Sequence, residues 1–574
     1  GRTTSLTYYD ENPQIRKALF IKNGTLKLTG KIDIPTLSEG NQEGGNGDYA
    51  IGENARLWIA GTDVTVFSTA SEVDEITGFT STDIHTADGV NTGSSNQAMS
   101  VYGEFKISNG YFGTRNSAGF IYWSDSFAQL KIDGGTVYVA QIRSAGGGGG
   151  VSSYIQTGGQ MILFGNEASY GGEYTGAYPI FGLDYTDAVF NMSGGEIIIQ
   201  DDDGDADPEF YVLSDDGNYN VTGGTIKFQL QSGRTAQFHS TSNVWNFEIE
   251  NLSGSGDVEI ELASDLTVSN DFTIGAYTFL YHDGNDVAIG GDFSIDENAV
   301  QRGTNNYGYL YDASKPNTTT FNGDDDATFY IGHPDGESVG WELNMNRLVL
   351  NKPAGKTLFI DSDTENDVYN VGSAYEARIL RLDSIKVESR ILNQTDYAVR
   401  LIGNIINYDQ IGVYDGSIHD DALIMLAWSG YDIETSDNAI FGNIKVNTGN
   451  TFVSFSSDVY IKRLYYRHGR IYAATNELKI DEIDYDFTNE AQFDWNQNSS
   501  FQGSERGVLS PNDMFIFDGN VSDGGLSLRI AGNGNYTFPI GIGTDATELL
   551  HNNSKYTPAE VTISNFTDDG YITI

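Results

Sequence analysis

The sequence predicts an all-β chain: a parallel β-solenoid with loop insertions, with a β-sandwich-like module as the alternative form of its C-terminal end. Three observations lead there. A nine-residue phrase, Leu266-Thr-Val-Ser-Asn-Asp-Phe-Thr-Ile274, returns 21 residues later as Val287-Ala-Ile-Gly-Gly-Asp-Phe-Ser-Ile295. A period near 20 residues, built of short alternating strands around a tight corner, is how stacked β-coils are written in sequence. A second phrase, two alternating triplets around a Gly-containing pair, recurs through the first half of the chain. The composition agrees: 68 of 574 residues are Gly, roughly 12% against ~7% on average, while Tyr (34) and Phe (30) supply most of the aromatic mass. Aromatic and β-branched residues suit pleated, half-buried surfaces, and Gly, Asn and Asp suit corners.

The second phrase appears first as Ile21-Lys-Asn-Gly-Thr-Leu-Lys-Leu28 and next as Phe105-Lys-Ile-Ser-Asn-Gly-Tyr-Phe112. It continues as Leu130–Val139, Tyr154–Leu163, Phe190–Ile199 and Tyr219–Phe228, each around a Gly-Gly pair. The last Gly falls at 110, 135, 159, 195 and 224, so the steps are 25, 24, 36 and 29 residues. A constant core with a variable remainder is what a coil with loop insertions should show. Alternation sends one set of side chains inward and the other outward. The Gly pair turns the chain without a Cβ clash and lets adjacent coils approach closely. An array of β-sandwiches would need hairpin signals about every 8–12 residues, and these are less regular here.

A coarser echo follows. Asn246-Phe-Glu-Ile-Glu-Asn-Leu-Ser-Gly254 resembles Arg347-Leu-Val-Leu-Asn-Lys-Pro-Ala-Gly355, 101 residues on, and Asn443-Ile-Lys-Val-Asn-Thr-Gly449 is a third member. The expected organisation is an N-terminal β region or cap over 1–100 and Gly-Gly coils over 101–240. Solenoid modules over 241–345 and 346–440 and a C-terminal β module over 441–574 complete it. The glycine run Gly146–Gly150 is a loop or corner, since no Lys-Ser/Thr follows to make a phosphate cradle.

Charge and cysteine content narrow the function. Lys and Arg number 32 and Asp and Glu 80, for a net charge of −48. Such an excess repels phosphate backbones and anionic lipid, which argues against nucleic acid as a partner. It confers solubility and offers many candidate ligands for divalent cations. With no cysteine, disulfides, zinc-thiolate sites and thiol catalysis are excluded. No apolar run of about 18 residues marks a membrane span. The start, Gly1-Arg-Thr-Thr-Ser, has no signal-peptide pattern, so a mature or internal portion of a longer protein is expected.

Two acidic ladders are candidate calcium sites: Asp201, Asp203, Asp205 and Asp207, continued by Glu209, and Asp361, Asp363, Glu365 and Asp367. Like charges alternating along one face repel, so order there needs a cation or a solvated loop, and both readings stand. The first ladder opens like an EF-hand loop but lacks its Gly at position six and Glu at position twelve. Tyr170, Tyr174, Tyr178 and Tyr185 lie in the insertion behind the 36-residue step. They are candidate ligand contacts, since Tyr-rich loops make adaptable surfaces, sugars included; packing onto the scaffold is the alternative. Gly336-Glu-Ser-Val-Gly340 matches a nucleophile elbow only by chance, because Trp341-Glu-Leu-Asn-Met continues it as a strand and no α/β alternation surrounds it. The seven histidines are scattered singly, without metal-ligand spacing, and are expected at the surface or in corners.

The 266–274 and 287–295 phrases, Thr319-Thr-Phe-Asn-Gly323, Leu348-Val-Leu-Asn-Lys-Pro-Ala-Gly355, Asn535-Tyr-Thr-Phe-Pro-Ile-Gly541 and Tyr556-Thr-Pro-Ala-Glu-Val-Thr-Ile563 resemble large, repetitive surface proteins of Bacteroidota. Those proteins are exported by the type IX secretion system, and the SprB-like gliding-motility adhesins are among them. The resemblance is diffuse and covers roughly residues 240–565. It implies a right-handed β-helix, a cell-surface location, contact with the outer-membrane export machinery and with extracellular glycans or surfaces, and no catalysis. No recognisable sorting domain follows Ile574, which points to a fragment. The expectation is a noncatalytic adhesin or stalk segment. A secreted β-helix polysaccharide lyase or hydrolase and a subunit of a surface filament are the alternatives.

Overall fold

Strict alternation of apolar and polar residues becomes strand after strand in the computed structural model. Glu104–Ile107, Gln129–Ile132 and Thr136–Val139 each bury every second side chain, and Val258–Leu262 does the same. The structure describes residues 21–34, 50–67, 97–113, 120–123, 127–144, 152–165, 179–201, 208–300, 308–332, 343–362 and 380–394. Further on it describes 399–401, 405–411, 413–414, 417–418, 424–427, 431–436, 439–455, 459–472, 478–484, 527–529, 534–541, 558–566 and 571–573. Among these the chain is all-β, with long parallel sheets and no helix. Contacts divide it into two units, Gly1–Asn285 and Asp286–Ile574. The division falls inside the stretch 241–345, between the two copies of the nine-residue phrase.

The first unit contains three parallel ladders. One runs through Ile21–Leu28, Ala50–Ile59, Glu104–Ile107, Gln129–Ile132 and Ser153–Leu163. The second runs through Ile32–Ile34, Val64–Phe67, Tyr111–Gly113 and Thr136–Val139. These two merge in the long strands Ser153–Leu163, Val189–Ile199 and Tyr219–Leu230, whose halves continue one ladder each. The third runs from Gln97–Val101 through Phe120–Trp123, Gln141–Ser144, Phe181–Leu183, Phe210–Val212 and Thr235–Ser240 to Val258–Leu262 and Thr278–Tyr281.

In the second unit Val287–Ile289, Thr318–Phe321, Leu343–Leu350 and Leu380–Val387 pair in parallel, as do Phe293–Ile295, Ala327–Ile331, Thr357–Asp361 and Arg390–Asn393. Parallel pairing continues through Ile440–Phe455, Val459–Tyr472 and Leu478–Asp484. Beyond these, Gly534–Gly541 pairs antiparallel with Pro558–Phe566, and Ser527–Arg529 with Tyr571–Thr573.

The repeated phrases mark equivalent places. Both triplets of each nine-residue copy are short strands with their outer two residues buried. Gly254 and Gly355, the ends of the 101-residue echo, are both left-handed corners, at φ 61° and 85°. The Gly-Gly pairs correct one detail of the expected turn. In Ser153–Leu163, Val189–Ile199 and Tyr219–Leu230 the pair is a bulge inside one continuous strand, not a break between two, and the register shifts around it. Gly110, Gly135, Gly159, Gly195 and Gly224 all have φ between 70° and 95° and stack one over the next. A β-carbon on Gly195 would lie 2.6 Å from the carbonyl oxygen of Gly159, and one on Gly159 would lie 2.5 Å from that of Gly135.

Apolar columns fill the interior. Phe181, Phe210 and Phe238 occupy one register position on successive strands and stack nearly parallel, with centroids 5.0 and 5.2 Å apart and all three rings buried. Phe293 and Phe329 repeat the arrangement in the second unit at 4.8 Å. Parallel in-register pairing puts like residues over like, so one Phe per repeat becomes a ring column with favourable offset packing.

Buried polar side chains tie strands across the ladders. Gln156 is fully buried beside the Gly column; its carbonyl accepts from Tyr154 Oη at 2.7 Å, and its amide donates to the carbonyls of Gly159 and Glu196 at 3.2 and 3.1 Å. Burial pushes the Tyr154 phenol well above its ordinary pKa, so it stays a donor. Tyr309, also buried, is pushed up to about 12 by desolvation and receives a hydrogen bond from Asn317. Many Asp residues are structural. Asp286, Asp292 and Asp326 accept from the backbone N–H of Thr318, Thr328 and Thr357 at 2.7, 2.7 and 2.8 Å, each reaching from one corner to the next strand. Lys352 is buried with Nζ 2.8 Å from the Asp325 carbonyl, and burial lowers its pKa.

Candidate functional site

The described residues of the first unit contain an open groove of about 520 Å³ crossing four neighbouring strands. It lies where neighbouring strands differ in the number of residues between matched positions. Ile51 and Arg56 are separated by the four residues Gly52–Ala55, whereas Val101 and Glu104, their parallel partners, are separated only by Tyr102 and Gly103. Gly103 forms part of the floor, and a β-carbon there would lie 2.3 and 2.4 Å from the carbonyl oxygens of Gly52 and Ala55. Only glycine fits there.

The walls come from residues that register alignment brings together. Thr25, Arg56, Glu104 and Gln129 occupy the same position on four successive strands and all line the groove. At one end stands Phe127, with 64% of its surface exposed, the most exposed large apolar side chain among the described residues. Arg56 forms an ion pair with Glu104, and Lys131 Nζ lies 3.6 Å from the same carboxylate. The lining thus offers guanidinium, carboxylate, hydroxyl and amide groups with little net charge.

Two residues along each strand lies a second outward column, Lys27, Trp58, Lys106 and Lys131. Lys27 Nζ is 3.8 Å and Lys106 Nζ 5.4 Å from the Trp58 ring centre, cation–π contacts that brace the strands beside the groove. Trp58 Nε1 donates to Ser108 Oγ at 2.8 Å. In a chain with far more carboxylates than cations, this concentration of basic side chains is local.

The residues singled out from sequence are placed only in part. Asp201 and Glu209, at the ends of the first acidic ladder, are both buried rather than solvated. Asp201 faces Arg234, with Oδ1 3.7 Å from Nη1, and Glu209 accepts the backbone N–H of Gln237. Asp203, Asp205 and Asp207 lie outside the described residues. In the second ladder Asp361 is half-buried, with Oδ1 accepting the N–H of Ser362 at 2.9 Å; Asp363, Glu365 and Asp367 lie outside the described residues. Tyr185 is half-buried in a turn, its carbonyl accepting from Ala188 N at 3.0 Å, while Tyr170, Tyr174 and Tyr178 are outside. The Gly146–Gly150 run and the Gly336–Gly340 match also fall outside. His282 does sit at a corner but is fully buried, with Nδ1 accepting from Gly284 N at 3.0 Å. His239 is half-buried and packs against Tyr211.

Among the described residues there is no group of three or more His, Asp or Glu placed to hold a metal ion, and no helix long and apolar enough to cross a membrane. No family model, curated protein or solved structure matches the chain.

Proposed function

We propose that this chain is a noncatalytic cell-surface adhesin or stalk segment, built as a right-handed parallel β-helix and exported by type IX secretion for attachment or gliding. The observation that carries the reading is the register of the glycine and phenylalanine columns. Successive strands are joined by parallel backbone ladders, by glycine contacts too close for any β-carbon at Gly135, Gly159 and Gly195, and by stacked buried rings at Phe181, Phe210 and Phe238. Such a scaffold resists deformation because every coil shares its load with both neighbours. Rigid reach and display suit attachment. The SprB-like resemblance adds the surface location and the export route. The test is prolonged incubation with a panel of neutral and acidic polysaccharides, followed by analysis of soluble products. The expected result is no release above the no-protein control; sustained release of oligosaccharide would instead make the chain a lyase or hydrolase.

A further inference from the structure

We propose that the groove between Thr25 and Gln129 binds a neutral polysaccharide chain, laid across the strands with one sugar ring against Phe127. The inference deepens the adhesin reading and rests on it, by naming the ligand class of one surface. Three features select the class. Neighbouring β-strands are about 4.8 Å apart, close to the advance of one pyranose unit in an extended glycan, so Thr25, Arg56, Glu104 and Gln129 offer a polar group at nearly each sugar. Those groups mix donors and acceptors along the row, with hydroxyl, guanidinium, carboxylate and amide in turn. Vicinal sugar hydroxyls, which donate and accept at once, match such a mixture better than a phosphate or sulfate does.

The exposed Phe127 ring supplies what the polar wall lacks. The C–H face of a pyranose is apolar, and an aromatic ring at the end of a polar trench gives it a surface to cover. Charge then sorts neutral from acidic glycans. Arg56 is engaged by Glu104, which also draws Lys131, and Lys106 is held by Asp133. Apart from Lys27, which lies over Trp58, the cations beside the groove are thus paired with carboxylates, and the chain's −48 repels a polyanion at long range.

Affinity electrophoresis of the whole chain tests this, using gels containing a β-glucan, an α-glucan, a mannan, alginate or chondroitin sulfate, with single-stranded DNA as a further probe. At least one neutral glycan is expected to retard the protein, and alginate, chondroitin sulfate and DNA to leave it unretarded. Phe127→Ala and Gln129→Ala should each weaken the retardation about tenfold with the melting temperature unchanged, since Phe127 is exposed and Gln129 is half-exposed. Leu252→Ala, at another exposed apolar residue, should bind as the parent does. Indifference to every neutral glycan, tighter binding of an acidic one or of DNA, or undiminished binding by Phe127→Ala would overturn the groove assignment and leave the adhesin reading in place. Retardation that depends on Phe127 but is accompanied by shortening of the glycan would uphold the groove and contradict the noncatalytic reading.

Discussion

Phe210→Ala is expected to destabilise the first unit by about 3–5 kcal/mol. Phe210 is the middle ring of the Phe181–Phe210–Phe238 column and also meets Phe190 edge-on, with centroids 6.2 Å apart. Truncation leaves a void lined by those three rings. The hydrogen-bonded ladders on either side prevent collapse into it, so the cost belongs at the upper end for a core aromatic. A repeat scaffold adds a second signature. Stability there is close to a sum of unit and interface terms, so a weak interface lowers cooperativity as well as the midpoint. Urea unfolding followed by circular dichroism should show an earlier and broader transition for Phe210→Ala. Phe127→Ala, which removes an exposed ring, is the matched control. Equal midpoints for the two variants would mean the ring column does not hold the unit together.

Gly195→Ala should cost about 2–4 kcal/mol, although it adds one methyl group. Two effects combine. A residue with a β-carbon at φ 83° loses roughly 1–2 kcal/mol in the left-handed region. The added carbon also lies 2.6 Å from the Gly159 carbonyl oxygen and 2.6 Å from Gln156 Nε2, forcing either the strand spacing or the buried Gln156 clamp to give. Gly217 separates the terms. Its φ is 92°, but nothing lies within 4 Å of where a β-carbon would stand. Gly217→Ala should therefore show the backbone cost alone, about 1–2 kcal/mol. Equal losses at both sites would show that close strand approach is not what the glycine column provides.

Much of the fold was legible because its causes are local. Alternation has a period of two and needs only neighbouring residues to be seen, and a Gly-Gly pair between alternating triplets marks a left-handed position wherever it occurs. What stayed hidden depends on register. Thr25, Arg56, Glu104 and Gln129 share no motif and are distant in sequence; only parallel pairing sets them in one row. The groove also lies where the corner at Tyr102–Gly103 is shorter than that at Gly52–Ala55, a difference that reads in sequence as mere irregular spacing. Signals existed in Phe127, set between Ser126 and Ala128-Gln129, and in the pairs Lys27-Leu28, Trp58-Ile59, Lys106-Ile107 and Lys131-Ile132 at matching positions. The surroundings of Asp201 and Glu209 depend on register as well. Alternating carboxylates suggest solvent or a cation, yet these two are buried against Arg234 and the Gln237 amide, contacts made by later strands. The same holds for Asp286, Asp292 and Asp326, whose charges looked like solubility but whose oxygens cap the next strand.

Disulfide mapping tests the parallel stacking most directly, and the absence of native cysteine leaves no competing thiol. Lys131 and Ile155 are register partners on adjacent strands, and Ile155 is in turn the partner of Asn191. Adjacent strands are about 4.8 Å apart, inside the roughly 4.4–6.8 Å that a disulfide spans; the second neighbour, at about 9.6 Å, is outside it. Lys131→Cys with Ile155→Cys should close rapidly under mild oxidation, as should Ile155→Cys with Asn191→Cys. Lys131→Cys with Asn191→Cys should remain reduced under the same conditions. Failure of both adjacent pairs, or equal closure of the distant one, would contradict a scaffold of successive strands stacked in parallel register.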